Sequence, residues 1–299
     1  MSEHFSKYPR IGVVAPSGVV NEIRLDAGLA LLKAGHFSVD CLGQIHAKDG
    51  YLAGDDTARK GAFDAALSGP CDVIWAARGG YGAVRLLAKL GAGWRPDQEK
   101  MLVGFSDVTA LHALWMQARF PAIHGANIST LPDWSPEARE ELYGLVRREI
   151  DESVYPGHFV GAGAPGQASG FVLTANLTVL ASLVGTPWMP NLGGAILVLE
   201  DVGESPYRLD RNFQQLRHSG AFEGVEGFAL GDFKDCEPSR DELPGGELMV
   251  ELLSALGKPI LKGLQIGHHS ESRAIRQGVW GHLDGRAHRL VVYNEDDSF

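Results

Sequence analysis

The sequence has few cysteines, no long hydrophobic run and a deficit of positive charge. Only three of its 299 residues are cysteine, and none form a CxxC pair, which argues against a disulfide framework and a structural zinc site. No apolar run approaches the ~20 residues that span a bilayer, and no secretory signal is visible, so we expect a cytoplasmic protein. The 27 basic residues against 37 acidic ones give a net charge of −10, which disfavours nucleic acid or a membrane as partner.

The composition that remains is that of a globular protein, with 44% hydrophobic and 21% charged residues. In the first half, short apolar runs alternate with helical patterns, which indicates parallel strands joined by helical crossovers. We predict an α/β fold. An N-terminal open parallel-sheet (flavodoxin-like) domain is expected over residues 1–130 and a smaller mixed α/β C-terminal domain over residues 170–299. Residues 131–169, which include Gly- and Pro-rich sequence, are predicted to be a linker.

Ser106 lies where a predicted strand, Met101–Gly104, leads directly into a predicted helix. Such a turn lifts a hydroxyl above the carboxyl edge of a parallel sheet, as in a nucleophile elbow, and points the amide of Asp107 toward an oxyanion. The G-x-S-x-G pattern is not met, because Val108 occupies the position of the second glycine. The alternative is that Ser106 is only the N-cap of the helix.

A glycine-rich segment, residues 78–82 (RGGYG), also lies between a predicted strand and a predicted helix. Clustered glycines there allow backbone amides to approach a ligand closely or to supply a second oxyanion donor. A dinucleotide-binding loop is a weak alternative because the G-x-G-x-x-G spacing is absent. A plain tight turn is the other alternative.

In the second half, Glu200 follows the strongest predicted strand, residues 195–199. An acid at the end of a strand is well placed to orient a histidine, whereas Asp201 and Glu204 are expected to lie further into a turn and to be freer. The alternative is a solvated acidic loop or a helix N-terminus.

His268 follows a predicted strand, residues 263–266, and is adjacent to His269. No set of His, Cys and acidic residues has metal-ligand spacing, so neither a metal nor a cofactor is expected. A serine at an elbow, an acid after a later strand and a histidine after a still later one follow an order that is known in serine-hydrolase triads.

The motifs, taken together, resemble the LD-carboxypeptidase family, the serine peptidases that trim muramoyl tetrapeptides. The matching segments run through almost the whole chain in the family's order: residues 11–17 (IGVVAPS), 52–56 (LAGDD), 77–82 (ARGGYG), 104–109 (GFSDVT), 124–125 (HG), 175–187 (ANLTVLASLVGTP), 199–204 (LEDVGE), 206–207 (PY), 210–211 (DR) and 267–268 (GH). Two segments depart from the family pattern, Thr174–Asn176 and residues 269–275, and either departure could alter how substrate fits.

The resemblance implies a role for each candidate residue. It implies Ser106 as the nucleophile, Glu200 as the acid and His268 as the base. The implied oxyanion donors are the backbone amides of Asp107 and of Gly80, the latter rather than Gly79. Arg78 and Arg208 are candidates for binding the substrate carboxylate.

The implied activity is release of the terminal D-alanine from muramoyl tetrapeptides during cell-wall recycling, with a small muropeptide as the substrate and a homodimer as the assembly. One alternative is a relative that cleaves a peptidyl-nucleotide antibiotic and confers immunity to a microcin, although the extra loop of such relatives is not evident. The other is a non-catalytic binding protein on the same scaffold.

Overall fold

The computed structural model of the chain describes residues 8–94, 97–160, 166–238 and 243–294. The chain divides into two compact units, Met1–Glu149 and Ile150–Phe299. The two units are therefore nearly equal in length, whereas the sequence predicted a smaller second domain.

The described part of the first unit contains a parallel sheet with helices between its strands. The strands are β1 (Arg10–Val14), β2 (Ser38–Cys41), β3 (Val73–Ala76), β4 (Met101–Gly104) and β5 (Ala122–His124), and the helices are α1 (Glu22–Ala34), α2 (Asp56–Ser68), α3 (Ala83–Leu90), α4 (Thr109–Ala118) and α5 (Pro136–Val146). The strand order is β2-β1-β3-β4-β5, and every pair is parallel. Strands β3, β4 and β5 are buried throughout, as expected for a sheet covered by helices on both faces. The predicted open parallel sheet is confirmed.

Local capping signals fix where several of these helices begin. The side chains of Asn21, Asp55 and Ser135 accept hydrogen bonds from backbone amides in the first turns of α1, α2 and α5, which satisfies donors that have no partner within the helix. The loops that follow the strands are thereby held at the carboxyl edge of the sheet.

The second unit is built on a mixed sheet. Its elements are β6 (Glu152–Pro156), β7 (His158–Val160), β8 (Gln167–Asn176), α6 (Leu177–Ser182), β9 (Ala195–Val202), α7 (Pro206–His218), β10 (Gly227–Lys234), α8 (Gly245–Ser254), β11 (Ile260–Lys262), β12 (Ile275–Gln277), β13 (Trp280–Asp284) and β14 (Arg289–Tyr293). The eight-stranded sheet has the order β6-β14-β13-β8-β9-β10-β11-β7. Strands β8 to β11 pair in parallel, and the outer strands pair antiparallel.

The segment predicted as a linker, residues 131–169, contains regular structure on both sides of the unit boundary. Helix α5 lies within it and belongs to the first unit, while β6, β7 and the start of β8 join the second sheet. Burial alternates along β6, where Tyr155 is 1% exposed, so this strand packs one face on the core. Residues 161–165, in the Gly- and Pro-rich part, lie outside the described residues.

Candidate active site

Ser106 occupies a strained turn at the carboxyl end of β4. Its φ is +64°, a left-handed conformation that is uncommon for a residue other than glycine. A 3-10 turn over Ser106–Val108 follows, and α4 begins at Thr109. The Ser106 side chain caps neither of these helices, so the N-cap interpretation is wrong. The local geometry is that of a nucleophile elbow.

Gly79 packs directly against Ser106. A Cβ at Gly79 would lie 3.0 Å from the Ser106 Cβ and 3.2 Å from its Oγ, so a side chain there would displace the hydroxyl. The buried Asn127 supports the same turn, because its Oδ1 accepts a hydrogen bond of 3.4 Å from the Phe105 amide. Sequence reasoning missed Asn127; the only signal was an amide residue three positions after the end of the apolar strand β5.

The two amides expected to bind an oxyanion belong to Gly80 and Asp107. Among the backbone hydrogen bonds of the described turns and loops, neither amide is a donor, so both are available to a ligand. The Asp107 side chain is buried, and its Oδ2 accepts a 2.8 Å hydrogen bond from the Ala83 amide at the start of α3. Burial raises the pKa of this carboxyl, against the lowering effect of hydrogen bonds from Ser17 and Ala83. Asp107 therefore links the glycine-rich loop to the serine turn, a role that was not predicted.

The second unit brings Glu200 and His268 together. The His268 Nδ1 lies 2.6 Å from the Glu200 Oε2, and the Glu200 side chain is fully buried while that of His268 is 16% exposed. Glu200 lies within β9, which continues three residues beyond the predicted end at Leu199, and its backbone pairs with Asn176 of β8. A rigid strand thus holds the carboxylate that fixes the orientation of the imidazole.

The electrostatic surroundings of His268 favour its protonated form. Burial lowers the pKa of His268, but attraction to Glu200, the hydrogen bond with Glu200, and the charges of Asp201 and Asp232 outweigh burial, so the net pKa is raised above 6.5. Asp232 lies at an irregularity in the pairing of β10 with β9. Its proximity to the histidine could not be predicted from the sequence, because it depends on long-range pairing.

A glycine loop, rather than a strand, carries His268. Residues 263–266 are not a strand, since β11 ends at Lys262, and this corrects the prediction. Gly267 has a φ of +135°, and a Cβ there would lie 3.0 Å from the Cβ of Asp232 and 3.4 Å from the Glu200 Oε2. The Gly267 amide donates a 2.9 Å hydrogen bond to the buried Ser272 Oγ, which fixes the loop that presents the histidine.

Asp201 does not behave as the sequence predicted. It is 2% exposed and accepts hydrogen bonds from the Asn176 side chain at 3.0 Å and from the Thr178 amide and hydroxyl at 2.9 and 2.7 Å. Burial raises the pKa of Asp201, against the effect of the Thr178 hydroxyl. The expectation that Asp201 is free in a turn is wrong, because strand β9 continues to Val202 and holds it at the N-terminus of α6.

The two candidate arginines are exposed and lie on loops or helix starts. Arg78 donates a hydrogen bond to the Val19 carbonyl, and Arg208 lies in α7, 3.5 Å from the Glu204 carboxylate. Each unit therefore contains one of the two candidate arginines. Over the ranges that the structure describes, no group of three His, Cys, Asp or Glu residues could hold a metal ion, and no helix is long and apolar enough to cross a membrane.

An elbow serine in one unit and a buried carboxylate–imidazole pair in the other are the groups that serine hydrolases use. The model of the LD-carboxypeptidase N-terminal domain matches residues 11–125, and the model of the C-terminal domain matches residues 169–283. The chain belongs to the LD-carboxypeptidase family, a family of serine peptidases.

Relatives and solved structures agree with this assignment. The chain is 36% identical to a putative carboxypeptidase of Streptomyces coelicolor, with 95% of this chain and 93% of the relative covered. It is 30% identical to a murein tetrapeptide carboxypeptidase of Pseudomonas aeruginosa, with 92% and 93% covered. A muramoyltetrapeptide carboxypeptidase structure from Oxalobacter formigenes superposes with a TM-score of 0.81 at 27% identity, covering 94% and 97%. A microcin C7 self-immunity protein of Escherichia coli is 25% identical, with 89% and 86% covered.

Proposed function

We propose that this protein is a serine L,D-carboxypeptidase that releases the terminal D-alanine from muramoyl tetrapeptides. The observation that carries the proposal is the 2.6 Å contact between buried Glu200 and His268, in a chain of a family whose relatives are named for this activity. The proposed triad is Ser106, Glu200 and His268, with the Gly80 and Asp107 amides as oxyanion donors.

The proposed reaction is acyl transfer in two steps. His268 takes the Ser106 proton as the Oγ attacks the scissile carbonyl, and Glu200 holds the ring through Nδ1 so that Nε2 faces the reaction. The Gly80 and Asp107 amides stabilise the oxyanion. The protonated histidine then donates its proton to the leaving amine of D-alanine. Water, deprotonated by His268, hydrolyses the acyl-enzyme and regenerates the serine.

Recognition of the substrate requires a cation for its free terminal carboxylate. A guanidinium suits this task because it can bind a carboxylate through two parallel hydrogen bonds. Arg78 and Arg208 are the proposed candidates, and Arg208 already has Glu204 as a neighbour. In the same proposal the protein acts in the cytoplasm, on peptides recovered from the cell wall, and forms a homodimer.

Cleavage of a peptidyl-nucleotide is the second candidate function, and the similarity to the microcin self-immunity protein supports it. That similarity is lower, at 25% identity, than the 30% shared with the murein tetrapeptide carboxypeptidase. Both reactions would use the same serine chemistry, so the identity of the substrate distinguishes them.

The test is an assay of the purified protein with a muramoyl tetrapeptide and with a peptidyl-nucleotide, scored for released D-alanine and released nucleotide. We expect D-alanine from the first substrate and little turnover of the second. Ser106→Ala should lower D-alanine release by at least ~10³-fold while the protein stays folded, and EDTA should leave the rate unchanged. Preferential cleavage of the peptidyl-nucleotide, or a rate lost with EDTA and restored by zinc, would contradict the proposal.

A further inference from the structure

Two exposed tyrosine rings lie together at the carboxyl edge of the first sheet. Tyr51 is 64% exposed and Tyr81 is 49% exposed, and their ring centroids are 5.7 Å apart in an edge-to-face arrangement. Two exposed aromatic rings in contact offer a ligand an apolar surface together with polar hydroxyl groups. We refer to these two residues as the tyrosine pair.

The backbone beneath the tyrosine pair is fixed by hydrogen bonds between three loops. The Val19 amide donates to the Tyr51 carbonyl at 3.0 Å, and the Gly18 amide donates to the Gly79 carbonyl at 3.1 Å. Buried Arg59, which is 1% exposed, donates to the Pro16 carbonyl at 2.5 Å and to the Gly82 carbonyl at 2.9 Å. A buried guanidinium used in this way makes the loops rigid, so the rings are presented on a preorganised frame.

The position of the tyrosine pair in the topology is one where open α/β sheets bind ligands. The order β2-β1-β3-β4-β5 changes direction between β1 and β3, and ligands bind outside the carboxyl ends of the strands at such a switch point. The loop after β1 contains Gly18, and the loop after β3 contains Gly79 and Tyr81. Gly79 also packs against Ser106, so the loop that carries Tyr81 also contacts the proposed nucleophile.

We propose that the tyrosine pair binds the sugar ring of the muramoyl peptide and thereby favours sugar-bearing substrates over the free peptide. A pyranose has an apolar C–H face and a polar edge, and tyrosine combines an apolar ring face with a hydroxyl that can form hydrogen bonds. Arg85, in the first turn of the helix α3 that follows Tyr81, is held by Asp56 through hydrogen bonds of 2.9 and 2.8 Å. This proposal rests on the proposed function and specifies which part of the substrate the first unit recognises.

The length of the substrate fits this placement. Three residues and the lactyl group of the muramoyl sugar separate the scissile carbonyl from the pyranose ring, which is more than ~10 Å of extended chain. Tyr81 follows Gly79 by two residues, at most ~7 Å along the backbone, and its ring extends further. The chain of a peptide acylated at Ser106 is therefore long enough to reach the tyrosine pair with its sugar.

The experiment compares the muramoyl tetrapeptide with the same tetrapeptide lacking the sugar. For the wild type we expect a KM at least about fivefold lower for the sugar-bearing substrate, as two aromatic contacts would provide. In the double variant Tyr51→Ala/Tyr81→Ala the ratio of the two KM values should fall toward one. Tyr293→Ala, which removes a 38% exposed tyrosine from the second unit, is the matched control and should preserve the wild-type ratio.

A binding measurement separates failure of this proposal from failure of the proposed function. Saturation-transfer NMR measures binding of N-acetylmuramic acid and, in a separate sample, of adenosine monophosphate. Each ligand is tested with the Ser106→Ala protein and with the Ser106→Ala protein that also carries Tyr51→Ala/Tyr81→Ala. We expect transfer to the sugar that depends on both tyrosines. If the enzyme releases D-alanine from both peptides and the double variant keeps the wild-type KM ratio, the inference is overturned. If the enzyme releases D-alanine from neither peptide, the proposed function is wrong. In that case the NMR result decides the inference: it stands if the sugar shows saturation transfer that depends on the tyrosine pair. It is overturned if the sugar shows none, or if only the nucleotide does.

Discussion

The two units prepare their functional groups by different physical means. In the first unit the backbone conformation positions the hydroxyl: Ser106 has a φ of +64° at the end of a buried strand, and Gly79 packs against it. In the second unit burial and charge position the imidazole: Glu200 is fully buried and hydrogen-bonded to His268, and the charges of Asp201 and Asp232 also act on the histidine. The proposed nucleophile thus depends on backbone strain that is maintained locally, whereas the proposed base depends on a hydrogen-bonded pair that is buried in the second unit.

We expect the largest effect from a substitution that breaks the buried Glu200–His268 pair of the second unit. Glu200→Gln keeps the shape of the side chain but removes the charge that stabilises the imidazolium and selects its tautomer, so we expect kcat to fall by up to ~10⁴-fold. Glu204→Gln is the matched control, because the Glu204 side chain is 22% exposed and Arg208 is 3.5 Å away. Steady-state kinetics of both variants, with thermal melts to show folding, make the comparison. A large loss of kcat in Glu204→Gln with a nearly normal kcat in Glu200→Gln would mean that the acid of the triad is misassigned.

A smaller effect, on stability more than on chemistry, is expected at the neighbouring acid. In Asp201→Asn only one side-chain oxygen remains to accept hydrogen bonds from Asn176 and Thr178. The amide group that replaces the other oxygen is itself a donor, so it faces donors and cannot accept their hydrogen bonds. Leaving a buried donor unsatisfied costs about 1–3 kcal/mol, so the free energy of unfolding should fall by that amount while kcat of the folded enzyme changes little. Denaturant titration and kinetics on the same sample measure both. A loss of kcat as large as that of Glu200→Gln, without a loss of stability, would contradict this separation.

The smallest effect concerns pH. The pKa of His268 is raised above 6.5, because its acidic neighbours outweigh burial, and a general base must be neutral. The value of kcat/KM should therefore fall with decreasing pH through a midpoint above 6.5, and Asp232→Asn should move that midpoint to lower pH. A midpoint that stays in place or rises would show that Asp232 does not act on the histidine.

The same pair links pH to stability in a predictable direction. The folded pKa of His268 is higher than its unfolded value of 6.5. Its pairing with Glu200 therefore stabilises the fold fully below pH 6.5, and this contribution is lost as the pH rises through the folded pKa. Denaturant titration gives the free energy of unfolding of the wild type and of His268→Ala, below pH 6.5 and above the folded pKa. The difference between the two proteins should be larger at the lower pH.

The sequence was most informative where structure is local. The apolar run of β4, the turn at Ser106 and the helix after it follow one another in the chain, so the strand, turn and helix could be predicted locally, although the missing second glycine left the elbow and the N-cap as alternatives. The glycine-rich segment 78–82 was placed correctly between β3 and α3 for the same reason. The sheet of the first unit follows from the regular alternation of strands and helices.

The features that sequence reasoning did not predict depend on contacts between distant segments. Asp232 approaches His268 only because the pairing of β10 with β9 is irregular and Gly267 lacks a side chain. Asp201 was expected to be freer because the apolar run stops at Leu199, yet β9 continues, Asp201 pairs with Phe233 of β10, and its side chain is buried. Local hydrophobicity does not reveal that a charged residue is satisfied by partners some 25 residues away.

The central claim is that Ser106 is a nucleophile activated by His268, and covalent labelling tests it most directly. The purified protein is treated with a fluorophosphonate, which phosphonylates activated serines, and the site is located by mass spectrometry. The account predicts one adduct, on Ser106, whose rate of formation falls by at least ~10³-fold in His268→Ala. Labelling of another residue, or an equal rate in wild type and His268→Ala, would contradict it.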